Sequence, residues 1–455
     1  MTDLVTEFST LKGLLLSDKN IPQHLLTDFV GSRKGQAHLY FRPDDEDSLQ
    51  QAVKLAYAHR LPVTVRGAGT NLVGATVPQG GLLLDVSALN KILNLDESNM
   101  CITVQPGVVL KDLIAFVESR GYFYPPDPAE KNATIGGNVA TNAGGMRAVK
   151  YGVTRDYVLS LELIRVDGTK VVLGAKTRKD TTGLSLKNLV IGSEGTLGII
   201  SRIVLKLLPL PAFSQSAVIA YHSLSDGIAS VNHILNARLY PTAIEFVERR
   251  CIALGERFLH KEFPCPDADS FLIVTFDGDK SQVKEKLQVL SGVVLSHGAY
   301  EVVQLDDPVV AANVWSVRSA LAQAVKASGV WEPVDTVVPL AKIAEFVKSC
   351  RRISEDLQIR IVPFGHAGDG NVHLCVLKDN LSDDKWPELL DRTLDALYDS
   401  AYSLGGLISA EHGIGKAKRK YFLKHVDPAV RELMLGVKHS FDPNNLLNPH
   451  DGYSL

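Results

Sequence analysis

The sequence predicts an α+β protein with more than one domain, and three observations carry that prediction. The chain has 455 residues, more than one compact core ordinarily holds. Short apolar runs typical of strands alternate with amphipathic stretches typical of helices in both halves of the chain. Between the halves, residues 207–213 read Leu-Leu-Pro-Leu-Pro-Ala-Phe, and the spaced prolines favour a stiff connector.

The first part of the chain, about 210 residues, predicts one α/β unit of ordinary domain size. A short strand begins near residue 38, and a helix follows that opens at Pro43 and a run of acids. Turn signals such as Asp167-Gly168 separate the later strands. The strands predicted after the helix cover residues 62–66, 81–86, 100–104, 158–165 and 170–173.

Beyond the connector, strand patterns alternate with amphipathic helix patterns, which predicts an α+β domain with one helix-covered sheet. A long helix over 383–404 leads to Glu411, and the tail 441–449 reads as a capped turn segment. The predicted strands are 270–276, 300–305, 335–338, 359–364 and 372–377, and the other predicted helices are 280–290, 313–327 and 340–354.

Composition excludes several classes of protein. Apolar residues make up 45% of the chain and charged residues 22%, as in ordinary soluble globular proteins. The net charge of −3 gives no electrostatic reason to expect nucleic acid or an anionic membrane as a partner. Residues 1–20 lack the pattern of a secretory signal, and no run approaches the ~20 apolar residues of a transmembrane helix.

The cysteines indicate a reducing environment. They are five in number, scattered, and form no Cys-x-x-Cys pair, which argues against a disulfide framework, an iron–sulfur cluster or a cysteine zinc site. We therefore expect a cytoplasmic protein, with peripheral association with a membrane left open. The cysteines are Cys101, Cys251, Cys265, Cys350 and Cys375.

Three glycine-rich loops interrupt the first half of the chain, at residues 66–74, 133–145 and 191–198. In the first, Gly67 and Gly69 follow a strand and can take positive φ, so that backbone N–H groups form a nest for an anion. The spacing of its glycines is not that of a Rossmann fingerprint, and no Gly-Lys-Ser/Thr of a P-loop follows. Any one such loop is ordinarily a tight turn, but three in one domain favour a dinucleotide.

The second half carries a cluster of metal-ligand residues. Residues 365–373 read Gly-His-Ala-Gly-Asp-Gly-Asn-Val-His, and Glu411-His412-Gly413 follows some forty residues later. Two imidazoles and a carboxylate are usual ligands of a catalytic divalent metal, and the glycines let the loop fold back so that His366 and His373 converge. The alternative is two histidines that are merely hydrogen-bonded on a loop and a strand. Asp369 fits a turn former.

These loops and the histidine cluster together resemble the flavoenzymes with a vanillyl-alcohol oxidase type of FAD domain, in particular the D-2-hydroxyacid dehydrogenase family. The resemblance runs from about Tyr40 to Pro449. It implies a two-subdomain FAD-binding domain and an α+β substrate-binding cap domain with an antiparallel sheet. The domains would be an N-terminal helical segment 1–35, the FAD domain 36–212, the cap 213–410, and a C-terminal segment 411–455 that returns to the FAD domain.

The resemblance implies which residues hold FAD. The first loop would bind the pyrophosphate, the second would run along the flavin side, and Asn448 would reach back to the flavin. Some relatives tether FAD through a histidine where this chain has Thr70, so we expect non-covalent FAD. The implied FAD-binding residues are Arg66, Gly67, Ala68, Gly69, Thr70, Asn71, Pro126, Thr134, Gly137, Asn138, Thr141, Asn142, Gly144, Gly145, Gly195, Ile199 and Asn448.

The same resemblance assigns roles in the second half. His366, His373 and Glu411 would bind the metal, commonly zinc, with manganese or iron as alternatives. His412 would act as general base and contact substrate, since an imidazole titrates near neutral pH. Arg318 would bind the substrate carboxylate, and Asn371 would hydrogen-bond substrate.

The sequence also favours a class of substrate. The D-2-hydroxyglutarate enzymes carry a threonine and a lysine where this chain has Ala322 and Pro333, which leaves nothing to pair with a second carboxylate. D-lactate is therefore expected, with D-2-hydroxybutyrate or glycolate as alternatives.

The rival hypotheses are a D-2-hydroxyglutarate dehydrogenase, a metallohydrolase, a non-catalytic flavin subunit, and metal-free aryl-alcohol or ether-lipid chemistry. A quinone, an electron-transferring flavoprotein or a partner subunit could accept the electrons, and a homodimer is left open.

Overall fold

The structure is a computed structural model that describes residues 2–449 and 451–452. The chain forms two compact units. Unit 1 comprises residues 1–143, 153–210 and 411–455, and unit 2 comprises residues 144–152 and 211–410. The sequence placed residues 144–152 in the first domain, whereas the structure packs this segment with unit 2.

The strands and helices are named in chain order. The strands are β1 Gly13–Ser17, β2 Leu39–Pro43, β3 Val63–Arg66, β4 Leu82–Asp85, β5 Ile92–Asp96, β6 Cys101–Val104, β7 Tyr122–Phe123, β8 Val158–Ile164, β9 Lys170–Gly174, β10 Ile199–Lys206, β11 Leu208–Pro209, β12 Phe213–Tyr221, β13 Ala243–Glu248, β14 Ser270–Gly278, β15 Ala299–Gln304, β16 Trp331–Val337, β17 Arg360–His366 and β18 Asn371–Leu377. The helices are α1 Thr2–Ser9, α2 Glu46–Ala58, α3 Leu110–Glu118, α4 Ile135–Thr141, α5 Ala148–Tyr151, α6 Leu186–Val190, α7 Leu224–Asn236, α8 Arg249–Leu259, α9 Lys280–Leu295, α10 Pro308–Ser319, α11 Leu321–Ala327, α12 Ile343–Asp356, α13 Trp386–Ser403, α14 Arg419–His425 and α15 Pro428–Phe441.

Unit 1 contains a four-stranded mixed sheet in the order β1-β2-β4-β3, in which β4 runs parallel to both β2 and β3. Helix α2 begins where the side chain of Asp45 accepts a hydrogen bond from the N–H of Ser48, and it buries Leu49 and Val53 in the core beside this sheet. The predicted N-terminal helical segment is only partly helical, because the apolar run after Gly13 forms β1 and pairs antiparallel with β2.

A second sheet in unit 1 has five antiparallel strands in the order β5-β6-β10-β8-β9. Strand β10 lies at its centre, and its inward residues Ile203 and Leu205 are fully buried. Two sheets within one unit, one of them mixed and one antiparallel, agree with the expected two-subdomain architecture.

Unit 2 is built on a seven-stranded sheet in the order β15-β12-β14-β13-β17-β18-β16, and every neighbouring pair is antiparallel. The prediction of a helix-covered antiparallel sheet is therefore confirmed. Helix α9 packs against β12, β14 and β15, and helix α12 packs against β17. The four strands β13, β17, β18 and β16 lie side by side and carry the polar residues discussed below.

The structure corrects the predicted helix over 313–327 and the predicted tail. The helix begins earlier, at Pro308, where the Asp307 side chain caps the N–H of Val309, and it is interrupted only at Ala320. The turn segment of the tail follows a 14-residue helix, α15, which the sequence reading did not predict. Among the residues that the structure describes, no helix combines the length and apolar character needed to cross a membrane.

Candidate functional site

The three glycine-rich loops meet in unit 1. A Cβ on Gly67 in the first loop would lie 2.2 Å from Oγ1 of Thr134, so the first and second loops touch there. The N–H groups of Gly192 and Glu194 in the third loop donate to carbonyl oxygens of α4, at 3.0 and 2.8 Å. Loops that converge in this way can contact one extended ligand together.

The first loop has a defined backbone conformation. The side chain of Asn71 accepts hydrogen bonds from the N–H groups of Val73 and Ala75 at 3.0 and 2.9 Å, which fixes the turn after the nest. Gly69 has φ +71, as predicted, but Gly67 does not lie in the left-handed region. Gly67 is required for a steric reason instead, because Thr134 occupies the space of a side chain.

The exposure of the predicted FAD-binding residues fits a bound group. Ala68 and Gly137 are exposed, and Thr70 and Asn71 are partly exposed, whereas the supporting side chains of Thr134 and Asn138 are buried. Of the other predicted residues, Arg66, Pro126, Gly144, Gly145 and Ile199 are buried, and Thr141, Asn142 and Gly195 are partly exposed. Bare glycine backbone on the accessible side and buried polar side chains behind it suit a dinucleotide.

Asn448 ties the first and third loops together. Its side-chain NH₂ lies 2.9 Å from the carbonyl oxygens of both Ala75 and Glu194, and the residue is almost fully buried. The Glu194 carboxylate accepts hydrogen bonds from the N–H groups of Ile414 and Gly415 at 2.6 and 2.8 Å. Burial, together with the negative charge of Asp451, raises the pKa of Glu194 to about 8. The contact of Asn448 with a flavin stays a prediction.

The histidine pair lies on an antiparallel hairpin in unit 2. His366 is the last residue of β17 rather than part of the loop, and it pairs with Asn371, the first residue of β18. Since Asn371 and His373 are two residues apart on β18, both histidines lie on the same face of the sheet. Their Nε2 atoms are 3.2 Å apart, and both side chains are buried.

A buried carboxylate faces the other ring nitrogen of each histidine. Glu245 stands directly opposite His366 in the β13–β17 register, and its Oε1 lies 2.6 Å from Nδ1 of His366. Asp335 stands directly opposite His373 in the β16–β18 register, and its Oδ1 lies 3.5 Å from Nδ1 of His373. Neither carboxylate has any exposed surface. Carboxylates behind histidine ligands orient the rings in metal sites.

Arg318 and Asn371 are already engaged within unit 2. The guanidinium of Arg318 forms a buried ion pair with Glu245, while its Nε has no hydrogen-bond partner among the described residues. The amide of Asn371 donates to Oδ1 of Asp335 at 2.8 Å and to the carbonyl of Thr336 at 2.9 Å. Contacts of Arg318 and Asn371 with a substrate stay predictions. Such contacts would involve the polar side-chain atoms that are not engaged in the bonds just described.

The charges around Glu245 hold it ionised. Burial by itself raises the pKa of Glu245, but the adjacent His366 and Arg318 outweigh burial, and the pKa lies below its ordinary value. Two buried carboxylates and one buried guanidinium thus accompany the imidazoles in this part of unit 2.

Glu411 and His412 begin the last segment of unit 1. Nε2 of His412 lies 3.9 Å from Oε1 of Glu411, and both side chains are largely shielded from solvent. The preceding residue in the chain, Ala410, belongs to unit 2 and donates its N–H to Oδ2 of Asp335 at 3.1 Å. Gly413, with φ +84, lets the chain turn directly after His412.

Glu245 and Asp335 are the polar residues that the sequence reading missed. Each is a carboxylate flanked mostly by apolar residues within a strand, in Ala-Ile-Glu-Phe-Val and Pro-Val-Asp-Thr-Val. A charged residue within a buried strand requires a partner, and this signal could have marked both positions. Their partners lie 121 and 38 residues away along the chain, so the sequence offered no way to name them.

Two family models match the chain. Residues 37–174 match the model described as "FAD binding domain". Residues 210–451 match the model described as "FAD linked oxidases, C-terminal domain". The first match covers the first two glycine-rich loops, and the second covers the histidine hairpin together with Glu411.

The chain is also similar to named proteins. It is 41% identical to the D-lactate dehydrogenase of Anaerostipes hadrus, over 91% of this chain and 89% of that protein. It is 36% identical to the glycolate oxidase subunit GlcD of Bacillus subtilis (strain 168), over 90% of this chain and 87% of that protein. A solved structure of p-cresol methylhydroxylase, 16% identical, has the same fold, with a TM-score of 0.80 over 100% of this chain and 96% of that one. The chain belongs to the family of FAD-linked oxidases and is an FAD-dependent oxidoreductase.

Proposed function

We propose that this protein oxidises a small D-2-hydroxy acid, D-lactate first, to the 2-oxo acid, with non-covalent FAD and a divalent metal, zinc in particular. The observation that carries the metal is the buried histidine pair, whose Nε2 atoms lie 3.2 Å apart while buried carboxylates face the two Nδ1 atoms. The names of the similar proteins, D-lactate dehydrogenase and glycolate oxidase subunit, support the class of substrate.

His366 and His373 would be two of the metal ligands and Glu411 the third. The backbone N–H of Ala410 donates a hydrogen bond to Asp335, which faces His373. Glu411 is the next residue in the chain after Ala410. Two imidazoles and one carboxylate leave open positions on a divalent ion for a substrate. The bound metal would supply Lewis-acid chemistry that lowers the pKa of the α-hydroxyl and orients it.

His412 would take the proton from the α-hydroxyl. Its imidazole adjoins the Glu411 carboxylate, and imidazole is the side chain that most often transfers protons in general acid–base catalysis. FAD, when bound, supplies the acceptor for the hydrogen and two electrons that leave C2. Glu194 holds the N–H groups of Ile414 and Gly415 and so fixes the segment that carries His412.

The choice of substrate is tested by an anaerobic titration of the purified, FAD-loaded protein, with the flavin absorbance as the readout. D-lactate, D-2-hydroxybutyrate and glycolate should bleach the flavin, and D-2-hydroxyglutarate should bleach it at least about 10²-fold more slowly at equal concentration. The reason is that Ala322 and Pro333 provide no donor for a second carboxylate. L-lactate is the control for handedness.

Other results would change the assignment. Faster bleaching by D-2-hydroxyglutarate would make the protein a D-2-hydroxyglutarate dehydrogenase. Protein purified without flavin, and unable to take up added FAD, would favour a metallohydrolase in which the same ligands activate water. Metal analysis of the titrated sample decides whether a metal accompanies the flavin.

The mode of FAD attachment is a separate prediction. Position 70 is a threonine, which has no nucleophilic ring nitrogen to bond the flavin, so we expect trichloroacetic acid to release all the yellow colour into the supernatant. Absorbance of the pellet and the supernatant near 450 nm, a wavelength typical of oxidised flavin, measures the distribution. Flavin that stays with the precipitated polypeptide would contradict non-covalent binding. A Thr70→His variant serves as the matched comparison.

A further inference from the structure

We infer that Glu245 and Asp335 are positioning residues that fix the ring orientation and tautomer of His366 and His373, and that Arg318 acts through Glu245. The inference rests on the proposed metal-dependent function and deepens it. It gives a function to two buried carboxylates that are not among the proposed metal ligands, and it gives Arg318 a role within the protein.

The sheet register places these residues on one face of four neighbouring strands. Glu245 pairs with His366 across β13 and β17, and Asp335 pairs with His373 across β18 and β16. Directly paired residues in adjacent strands point to the same side of a sheet. Glu245 and His366 stand in one row, which continues to Asn371, whereas Asp335 and His373 stand in a second row with Phe364, two residues along the strands and on the same face. The two imidazoles therefore meet diagonally between β17 and β18, each with a carboxylate on the strand beyond it, and all four side chains are at least nine-tenths buried.

The contacts select one tautomer of each ring. Nδ1 of His366 lies 2.6 Å from the Glu245 carboxylate, and because an ionised carboxylate only accepts hydrogen bonds, this nitrogen carries the hydrogen. Nδ1 of His373 faces Oδ1 of Asp335 at 3.5 Å, which favours the same tautomer for the second ring. Nε2 of a neutral ring then presents its lone pair. Two Nε2 lone pairs 3.2 Å apart repel each other unless a proton or a metal ion lies between them. The two carboxylates thus turn a pair of histidines into a preformed bidentate site.

Arg318 keeps Glu245 in place and charged. Its guanidinium is buried, pairs with the carboxylate, and lies over the ring of Phe364 with its Cζ 5.0 Å from the ring centre. Arg318 pairs with Oε2 of Glu245, so the other carboxylate oxygen, Oε1, is the one that contacts Nδ1 of His366. Removing the carboxylate alone would leave a buried cation without its partner, which destabilises a protein strongly.

The test compares Glu245→Gln and Asp335→Asn with the unaltered chain, all FAD-loaded and stripped of metal by a chelator. Zinc ion alone is titrated by calorimetry, and we expect each substitution to weaken zinc affinity about 10- to 100-fold. Glu248→Gln is the matched control: Glu248 is also a buried glutamate on β13, but it pairs with Arg250 and Arg351 and should leave zinc affinity unchanged.

A second measurement does not depend on zinc binding. The ¹⁵N spectra of histidine-labelled, metal-free protein should show His366 and His373 with hydrogen on Nδ1, and Glu245→Gln should move only His366 towards the other tautomer. Assignments come from His366→Asn and His373→Asn. Should Glu245→Gln misfold, the double variant Glu245→Gln/Arg318→Met, which removes the whole ion pair, replaces it.

The outcomes separate the two proposals. Weaker zinc binding with an altered His366 tautomer supports the positioning role. Unchanged affinity and unchanged tautomers in correctly folded variants overturn it, whatever the reaction catalysed. If the unaltered chain binds no zinc, the metal in the proposed function fails, and the tautomers by themselves then decide whether Glu245 and Asp335 position the rings.

Discussion

Replacing His373 with alanine is expected to strip the protein of its metal and to slow flavin reduction by D-lactate at least about 10²-fold. His373 is buried, and its Nε2 lies 3.2 Å from that of His366, so its loss removes one of the two imidazoles proposed to hold the ion. Metal content by mass spectrometry and anaerobic stopped-flow absorbance of the flavin measure the two effects on the same sample.

Two comparisons make that result specific. His366→Ala should have the same effect, since both rings contribute one ligand. His297→Ala removes an exposed histidine that follows helix α9 in the same unit, and it should leave metal content and reduction rate unchanged. A His373→Ala protein that keeps one metal ion per chain and reduces its flavin at the original rate would refute the metal site.

Replacing His412 with alanine is expected to leave FAD and metal bound but to slow flavin reduction by about 10²-fold or more. The physical reason is the loss of the imidazole that adjoins Glu411 and takes the hydroxyl proton. The fold of the segment should persist, because Glu194 binds the backbone N–H groups of Ile414 and Gly415 rather than the His412 side chain.

The pH dependence distinguishes a general base from a structural histidine. In the unaltered protein the rate of reduction should rise with pH as the histidine loses its proton, and in His412→Ala that rise should disappear. His439→Ala, which removes an exposed histidine near the end of α15, is the control and should keep both the rate and the pH profile. A His412→Ala rate equal to that of the control would exclude the proton transfer.

Local pattern was enough to predict part of the fold. The α2 helix follows from its acidic start and its apolar stripe, and five strands of the seven-stranded sheet follow from alternating strand and helix patterns, whereas β12 and β13 were not predicted. Errors occurred where neighbours override local preference. The apolar run of β1 was assigned to a helical segment because its pairing with β2 cannot be seen in a linear reading, and α15 was not predicted.

The residues of the candidate site likewise fall into those that local pattern predicted and those that only the structure brought together. The glycines of the first loop and the Gly-His-x-Gly-Asp-Gly-Asn-x-His pattern stand out because special backbone conformations and metal ligation restrict residue types over short distances. Glu245 and Asp335 do not stand out, because a single acid in a strand acquires its meaning only from what lies opposite it. The pairing of Arg318 with Glu245 likewise joins residues 73 positions apart.

The amino-acid sequence by itself determined that this protein is an FAD-linked oxidoreductase, because glycines and small polar residues at fixed short spacings mark loops suited to a phosphate-bearing cofactor. Only the tertiary structure decided which buried charges face one another. Strand order and register bring distant residues within hydrogen-bonding distance, and an unpaired charge in a low-dielectric interior is too costly to remain without a partner. The grouping of Glu245, His366, His373 and Asp335 on one face of the sheet is the consequence of that pairing.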